Sequence, residues 1–279
     1  MIKFEKYHGL GNDFIIFNYD ELIKNNIEEN KFQELAVNVC NRHTGIGADG
    51  MMVVVDKKDR AQMIFINADG SIGEMCGNGI RCFSNYIYNN QILEGTTYRV
   101  ETLAGLLTLD IFPNDDNFTV KVNMGTPKLD TVSIPMSIDS NKFLDQSIKI
   151  EDQIYTISAI LMGVPHAIIF VENLEDIDLV KIGPKIEKHE LFPKGINVNF
   201  VQILGDDEII VDTWERGAGH TLACGTGSCA SVVIGNLLGK LDNKVKVHLA
   251  LGDLEIEIKD DIFMTGPAKL VAKGEYINN

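Results

Sequence analysis

Two segments of the chain share one unusual form. Cys76-Gly77-Asn78-Gly79 and Cys224-Gly225-Thr226-Gly227 both read Cys-Gly-polar-Gly, and each follows a β-rich run and opens a helical pattern. Registering the chain on the two cysteines places Asn67 and Glu215 each nine residues upstream. Ala104-Gly105 and Leu251-Gly252 then fall 29 and 28 residues downstream, both ahead of an alternating strand. Asn12-Asp13-Phe14-Ile15 also resembles Asn197-Val198-Asn199-Phe200-Val201. An internal repeat of this kind constrains the fold to a duplicated unit, and 279 residues give room for two. The change of half falls near 125–135, where Pro127 and Pro135 interrupt the pattern.

Short β-rich or alternating runs dominate, at 2–7, 14–17, 51–55, 63–66, 98–109, 154–161, 168–171, 198–203, 209–214, 245–249 and 254–258. Three helical patterns accompany them. One carries Phe32, Leu35, Ala36 and Val39, one carries Ile80, Phe83 and Ile87 beyond Gly79, and one runs from Ala230 through Val233, Ile234, Leu237 and Leu238 to Gly239. The class expected is α/β in the α+β sense, strand-rich, with two similar halves.

Apolar residues make up 45% of the chain and charged residues 23%, which suits ordered cores and excludes disorder and fibrous structure. The net charge of −15 repels phosphate backbones and anionic membranes, so nucleic acid and membrane are not expected partners. The acidic residues are scattered and serve solubility. An N-terminus carrying Lys3, Glu5 and Lys6 lacks an apolar leader, and nowhere do about 18 apolar residues run together, which points to the cytoplasm. Five cysteines, an odd and sparse set, argue for free thiols. Asn117-Phe118-Thr119 fits a glycosylation sequon by chance in such a chain.

A glycine after each cysteine and another two residues later let the backbone turn tightly and aim amide N–H groups at a ligand, with the positive end of a helix behind them. A carboxylate suits such a cradle. The same dipole is expected to lower the thiol pKa from about 8.5 toward neutrality. A single cysteine is ordinarily a small buried hydrophobe, and Cys40, Cys82 and Cys229 are read so. Cys76 and Cys224 lie in paired glycine-rich turns that pack little, and twinned acid/base thiols suit inversion at a carbon with an acidic hydrogen. A cysteine hydrolase would need one nucleophile and leave the duplication unexplained. The Cys-x₅-Cys and Cys-x₄-Cys gaps, with no interleaved His, do not suit zinc. The GxGxxG match at 45–50 has its helix before it and its strand after it, the inverse of a dinucleotide fingerprint, so no nucleotide cofactor is expected.

Several blocks carry a further likeness: Gly9-Leu10-Gly11-Asn12-Asp13-Phe14, Arg42-His43-Thr44-Gly45-Ile46-Gly47-Ala48-Asp49-Gly50, Phe65-Ile66-Asn67-Ala68-Asp69-Gly70-Ser71, Met75-Cys76-Gly77-Asn78-Gly79-Ile80-Arg81-Cys82, Glu215-Arg216-Gly217-Ala218-Gly219 and Ala223-Cys224-Gly225-Thr226-Gly227. Together they resemble the diaminopimelate epimerases, over the whole chain. The resemblance implies an isomerase that interconverts LL- and meso-2,6-diaminopimelate, for lysine and peptidoglycan precursors, without pyridoxal phosphate, other cofactor or metal. It implies two halves, each a curved, barrel-like sheet around a central helix with the active site in the cleft between them. Residues 1–127 would form the half carrying Cys76, 128–266 the half carrying Cys224, and a last strand at about 267–279 would return to the first.

By the same resemblance Cys76 and Cys224 are the acid/base thiols, and Glu215 and His166, the latter in Gly163-Val164-Pro165-His166, assist them. The amides at Gly77-Asn78 and Gly225-Thr226 would hold the reacting carboxylate. Asn12, Asn67, Asn197, Glu215 and Arg216 match substrate-binding positions, with Arg216 suited to a bidentate grip on the distal carboxylate. The partner implied is a small-molecule substrate, and the assembly to test is a homodimer. Many members have Asn where this chain has Val164, and some have Gln where it has Gly50. A member racemising another amino acid, such as histidine, therefore stays open, as does a relative that binds an amino acid without turning it over.

Overall fold

In the computed structural model, which describes residues 1–114 and 118–278, the chain divides into two units, Met1–Val122 with Gly266–Asn279, and Asn123–Thr265. Asn117 of the sequon lies outside the described residues. The first unit holds β1 (Ile2–Gly9), β2 (Asn12–Asn18), α1 (Tyr19–Lys24), α2 (Phe32–Cys40), β3 (Gly50–Asp56), β4 (Ala61–Asn67), β5 (Ile72–Gly73), α3 (Gly77–Asn89), β6 (Thr97–Thr102) and β7 (Gly105–Pro113), and its first segment ends within β8 (Phe118–Gly125). The second holds β9 (Phe143–Ile150), β10 (Gln153–Met162), β11 (Val164–Val171), α4 (Leu179–Glu187), β12 (Asn197–Gly205), β13 (Glu208–Glu215), β14 (Gly219–Thr221), α5 (Gly225–Leu237), β15 (Lys244–Leu249), β16 (Gly252–Ile258) and most of β17 (Ile262–Pro267). The last strand, β18 (Lys269–Tyr276), belongs to the first unit and pairs antiparallel with β1.

The two units repeat one topology. In the first, β1–β2 and β3–β4 are antiparallel, whereas β2–β3 and β4–β6 are parallel. In the second, β10–β11 and β12–β13 are antiparallel, whereas β11–β12 and β13–β15 are parallel. A parallel pair needs a crossover. The helices α1 and α2, then α3, supply the crossovers in the first unit, and α4, then α5, supply them in the second. Each unit closes the motif with a hairpin on a positive-φ glycine, Gly105 opposite Thr102 and Gly252 opposite Leu249.

These registers correct one sequence match. In the first unit Phe14 lies opposite Gly50, and Gly50 opposite Asn67. In the second His166 lies opposite Asn197, and Asn197 falls opposite Glu215, one step before the Val198–Trp214 pair. Asn67 thus corresponds to Glu215, Gly50 to Asn197, and Asn12 to Val164. Asn12 does not correspond to Asn197, because β2 answers to β11 and β3 to β12. Adjacent buried strands of one sheet look alike in sequence, and the local match chose the wrong neighbour.

Burial explains which runs the sequence displays. Residues Phe14–Phe17 and Met51–Val54 are at most 1% exposed. They are covered on both faces, and strands of that kind read as continuous apolar runs. One face carries α2, whose Phe32, Leu35, Ala36 and Val39 pack with Ile15, Phe17, Met51 and Val53. The other carries α3, buried from Asn78 through Ile87 and packed against β1, β2 and β18. A helix buried on every side has the sheet curved around it. In the second unit α4 packs its Leu179, Ile182 and Ile186 with Ala167, Ile169, Val198 and Phe200, and α5 takes the central place.

Other differences from the sequence reading have local causes. The single run at 98–109 is a hairpin turning at Leu103-Ala104. The helix α4 escapes a periodicity search because Gly183-Pro184 sits inside it; a Cβ at 183 would press on the Trp214 ring at 2.6 Å. Both central helices start at the glycine right after the cysteine, earlier than their apolar periodicity indicates.

The glycines at 45–50 serve the end of α2. The amides of Gly45, Ile46, Gly47 and Ala48 donate to carbonyls of Asn41, Val39, Val39 and Cys40. A Cβ on Gly45 would meet the carbonyl oxygens of Asn38, Val39 at 2.7 Å and Asn41 at 2.9 Å. Backbone cannot swing aside like a side chain. Gly45→Ala is therefore expected to cost roughly 2 kcal/mol, lowering Tm by about 4–8 °C in a thermal melt.

Candidate active site

Cys76 caps the N-terminus of α3 in extended backbone, with Gly79 N–H donating to its Sγ at 3.4 Å. The half-buried thiol donates to Asn12 Oδ1 at 3.6 Å, and Asn78 Nδ2 donates to the same oxygen at 3.4 Å. Asn12 is held in that orientation by its other end, where Nδ2 donates to Asp49 Oδ2 at 2.6 Å. Asp49 in turn accepts from Asp13 N–H and pairs with Arg42 at 2.7 Å, and Arg42 and Lys6 both pair with Asp13. Against the opposing pull of burial, these cations hold the buried Asp13 carboxyl below the usual range. Asp13, Arg42 and Asp49 stand in sequence blocks that assign them no role; their orientation of Asn12 emerges only in three dimensions.

Beneath the same helix end lies Arg81, fully buried. Its Nε donates to Pro267 O at 3.1 Å, Nη1 to Gly77 O at 2.9 Å and Nη2 to Asn78 Oδ1 at 3.0 Å. The guanidinium thereby ties the last segment of the chain to the Cys76 turn. The first amides of a helix have no carbonyl one turn back within it, and here Gly77 and Asn78 stand at its positive end.

In the second unit Cys224 caps α5 in the same extended conformation. It is only 5% exposed, which corrects the expectation that both turns pack little. The expected lowering of its pKa is also reversed. Burial pushes the Cys224 thiol up, and the Glu215 carboxylate beside it adds to the rise, whereas the Thr226 hydroxyl and the Gly227 amide pull the other way. Removal from water outweighs the helix dipole. The thiol donates to Glu215, whose Oε1 also accepts from Thr221 Oγ1 at 2.7 Å. Burial raises the Glu215 carboxyl above its ordinary range, with these two donors holding it back.

His166 is fully buried on β11 and bonds Thr226 Oγ1 through Nε2 at 3.0 Å. Burial and the charge on Arg216 drive its pKa down to about 3, so the ring is neutral. Thr226 Oγ1 lies 3.5 Å from Cys224 Sγ. Asn197 locks backbone, its Nδ2 donating to Pro165 O at 2.9 Å and its Oδ1 accepting from Arg216 N–H at 2.8 Å. The structure thus joins Asn12 and Asn78 to Cys76, and Glu215, Thr226 and His166 to Cys224. Asn67 holds its own turn through Ser71 Oγ at 2.9 Å, and the Arg216 guanidinium reaches Lys194 O at 3.1 Å. Val164, 38% exposed at the start of β11, presents no side-chain donor. A side chain on Gly50 would meet the Phe65 ring at 2.8 Å and Ile66 O at 3.0 Å.

Among the described residues no three His, Cys, Asp or Glu side chains converge to hold a metal ion, and no helix is long and apolar enough to cross a membrane. None of the five cysteines, all among the described residues, forms a disulfide. The chain offers two capped helix ends, each with a sulfur at its mouth and amides beside it.

Comparison with known families gives the arrangement its place. The model of the family described as diaminopimelate epimerase matches residues 4–129 and 158–271. The chain belongs to the diaminopimelate epimerase family. It is 46% identical to the diaminopimelate epimerase of Alkaliphilus metalliredigens over all of this chain and 98% of the relative. It is 44% identical to that of Methanothermobacter thermautotrophicus over 98% of both. Solved structures share the fold at lower identity. A phenazine biosynthesis protein of the PhzF family from Bacillus anthracis superposes with a TM-score of 0.72 at 16% identity, covering 99% of both chains. A probable proline racemase from Agrobacterium radiobacter gives 0.70 at 16% identity, covering all of this chain and 94% of the other. The family fold of two similar, strand-rich halves is the one found here.

Proposed function

We propose that this protein is an isomerase that interconverts LL- and meso-2,6-diaminopimelate by a two-base mechanism, with Cys76 and Cys224 as the acid/base pair. The observation that carries this reading is the matched pair of cysteines at helix N-termini, one per unit, in a chain with full-length diaminopimelate epimerase relatives. In one direction the Cys224 thiolate takes the α-proton, the electron pair is left on the α-carbon, and the Cys76 thiol returns a proton with inversion. The two sulfurs exchange protonation states, and no electrons leave the system. The reverse direction exchanges their roles.

The amides of Gly77 and Asn78, and of Gly225 and Thr226, receive the reacting carboxylate, where helix ends favour negative charge. Asn12, Asn67 and Asn197 bind the substrate, and Arg216 takes the distal carboxylate. Glu215 gives the resting Cys224 thiol an acceptor and polarises it as the proton leaves. The two units repeat one topology, and each carries one of the two thiols. The same reading gives a cytoplasmic enzyme, where free thiols stay reduced, and a homodimer, which light scattering tests.

Val164 favours a second reading, a racemase of another amino acid such as histidine, because the position corresponding to Asn12 in this unit lacks a hydrogen-bonding side chain. A panel of single stereoisomers, with products resolved by chiral chromatography, separates the two. Turnover of LL-diaminopimelate above the rest supports the first reading. Turnover of L-histidine with diaminopimelate inert supports the second and overturns the first.

Glu215 provides a test with two readouts. A carboxyl raised in the folded state contributes stability that is fully present below about pH 4.3 and is lost as pH rises through its folded value. Glu215→Gln is therefore expected to raise Tm at pH 7 while lowering kcat by roughly 10²-fold, as loss of an acid/base partner does. The Tm gain should vanish at pH 4. A variant less stable than the parent at pH 7 would contradict the assignment.

A further inference from the structure

We propose that Asn199, a residue with no motif role in the sequence, is a positioning residue that orients a hydrogen-bond relay ending on the Cys224 sulfur. The proposal deepens the two-thiol reading above and rests on it for its catalytic meaning.

The relay lies within the second unit. Asn199 is fully buried on β12, and its Nδ2 sits 3.2 Å from Ala167 O and 3.1 Å from His166 Nδ1. A peptide carbonyl can only accept, so the amide nitrogen of Asn199 must face it. The Thr213 hydroxyl, 3.0 Å from Oδ1, donates to the other end and agrees with this orientation. His166 Nδ1 therefore faces a donor and must accept. A neutral imidazole has one proton, which is then on Nε2, aimed at Thr226 Oγ1 at 3.0 Å. With its oxygen accepting from the histidine, Thr226 turns its own proton toward Cys224 Sγ, 3.5 Å away.

The consequence is a sulfur with a partner in both states. As a thiol it donates to Glu215; as a thiolate it accepts from Thr226. The opposite histidine tautomer would take the Thr226 proton for itself and leave the thiolate without it. A second feature shows the fit: a Cβ on Gly227 would collide with Asn199 Oδ1. The glycine of Cys-Gly-polar-Gly thus admits the amide under the helix start. The Cys76 thiol instead donates to Asn12 Oδ1, an oxygen that only accepts.

The experiment needs no substrate. Ring ¹⁵N NMR of the full-length protein reads the His166 tautomer, and iodoacetamide labelling followed by mass spectrometry reads the Cys224 rate against pH. Among the described residues, the ionisable groups that bear on that sulfur are Glu215 on β13, directly, and His166 on β11, through Thr226. The first is common to all variants, and the second stays neutral. We expect a bare Nδ1 and a protonated Nε2. Thr226→Val should slow Cys224 labelling roughly tenfold at neutral pH and move its midpoint up by about one unit, as loss of a hydrogen bond to a charged group requires. Thr226→Ser should restore the parent profile, and Asn199→Leu should mix the tautomers and move the profile toward that of Thr226→Val.

A protonated Nδ1 in the parent, or a Thr226→Val profile superimposing on it, overturns the relay. Should Asn199→Leu fail to fold, the parent NMR and the near-isosteric Thr226 pair still decide. Absence of diaminopimelate turnover would remove the function proposed above while leaving these readouts intact, so the two failures are distinguishable.

Discussion

Replacing either Cys76 or Cys224 with alanine is expected to lower kcat/KM for diaminopimelate by about 10³-fold or more while leaving the protein folded. General acid/base catalysis by one positioned group contributes roughly 10²–10⁴-fold, and inversion needs two groups. Each thiol acts in every cycle, once as base in one direction and once as acid in the other, so neither loss is sparing in either direction. Alanine removes one sulfur, which accepts from the Gly79 N–H in the first unit and the Gly227 amide in the second, and leaves the backbone itself in place. The helix starts at Gly77 and Gly225 are held by glycine turns, by Arg81 in the first unit and by Ser228 Oγ bonding Cys224 O in the second. The Tm of both variants should stay within a few degrees of the parent. Robust turnover by either single variant would remove the two-base mechanism.

The largest stability effect is expected at Arg81. Arg81→Leu fills the same interior with an apolar side chain and strips donors from Gly77 O, Asn78 Oδ1 and Pro267 O. A buried acceptor left without its partner costs about 1–3 kcal/mol, so three give at least about 3 kcal/mol. At roughly 2–4 °C per kcal/mol for chains near this length, Tm should fall by 10 °C or so. Activity should fall too, because Asn78 loses the contact that sets its amide toward Asn12 and the Cys76 turn. A Tm within 2 °C of the parent would show that the guanidinium is not the tie described.

Much of this site is legible in the sequence, for a physical reason. Cysteines at helix starts with glycines behind them are local features, encoded in four consecutive residues, and the nine-residue spacing to Asn67 and Glu215 survives because β4 and β13 lead into the turns alike. The apolar runs of β2 and β3 are visible because both faces of those strands are covered. What stayed hidden depends on neighbours distant in sequence. Asn199 and Thr213 meet only through strand pairing between β12 and β13. The partner of Arg81 at Pro267 is 186 residues away. The helix α4 was masked by Gly183-Pro184, which its packing on Trp214 requires. The rise in the Cys224 pKa was unreadable too, since a dipole can be inferred from a helix start but burial cannot.

The asymmetry between the two sulfurs also comes from the tertiary structure. The repeat makes the halves alike in topology, yet Cys76 is half-buried against an asparagine oxygen, whereas Cys224 is buried between a carboxylate and a hydroxyl. The two proton transfers are thus run in two unlike environments.

Solvent exchange tests the central claim most directly. Reduced protein incubated with LL-diaminopimelate in D₂O and no added cofactor should place deuterium at an α-carbon of the epimerised product, read by mass spectrometry and ¹H NMR. Both Cys76→Ala and Cys224→Ala should fail to produce labelled meso product. Epimerised product without solvent deuterium, or no exchange by the clean reduced parent, would contradict proton transfer by two thiols.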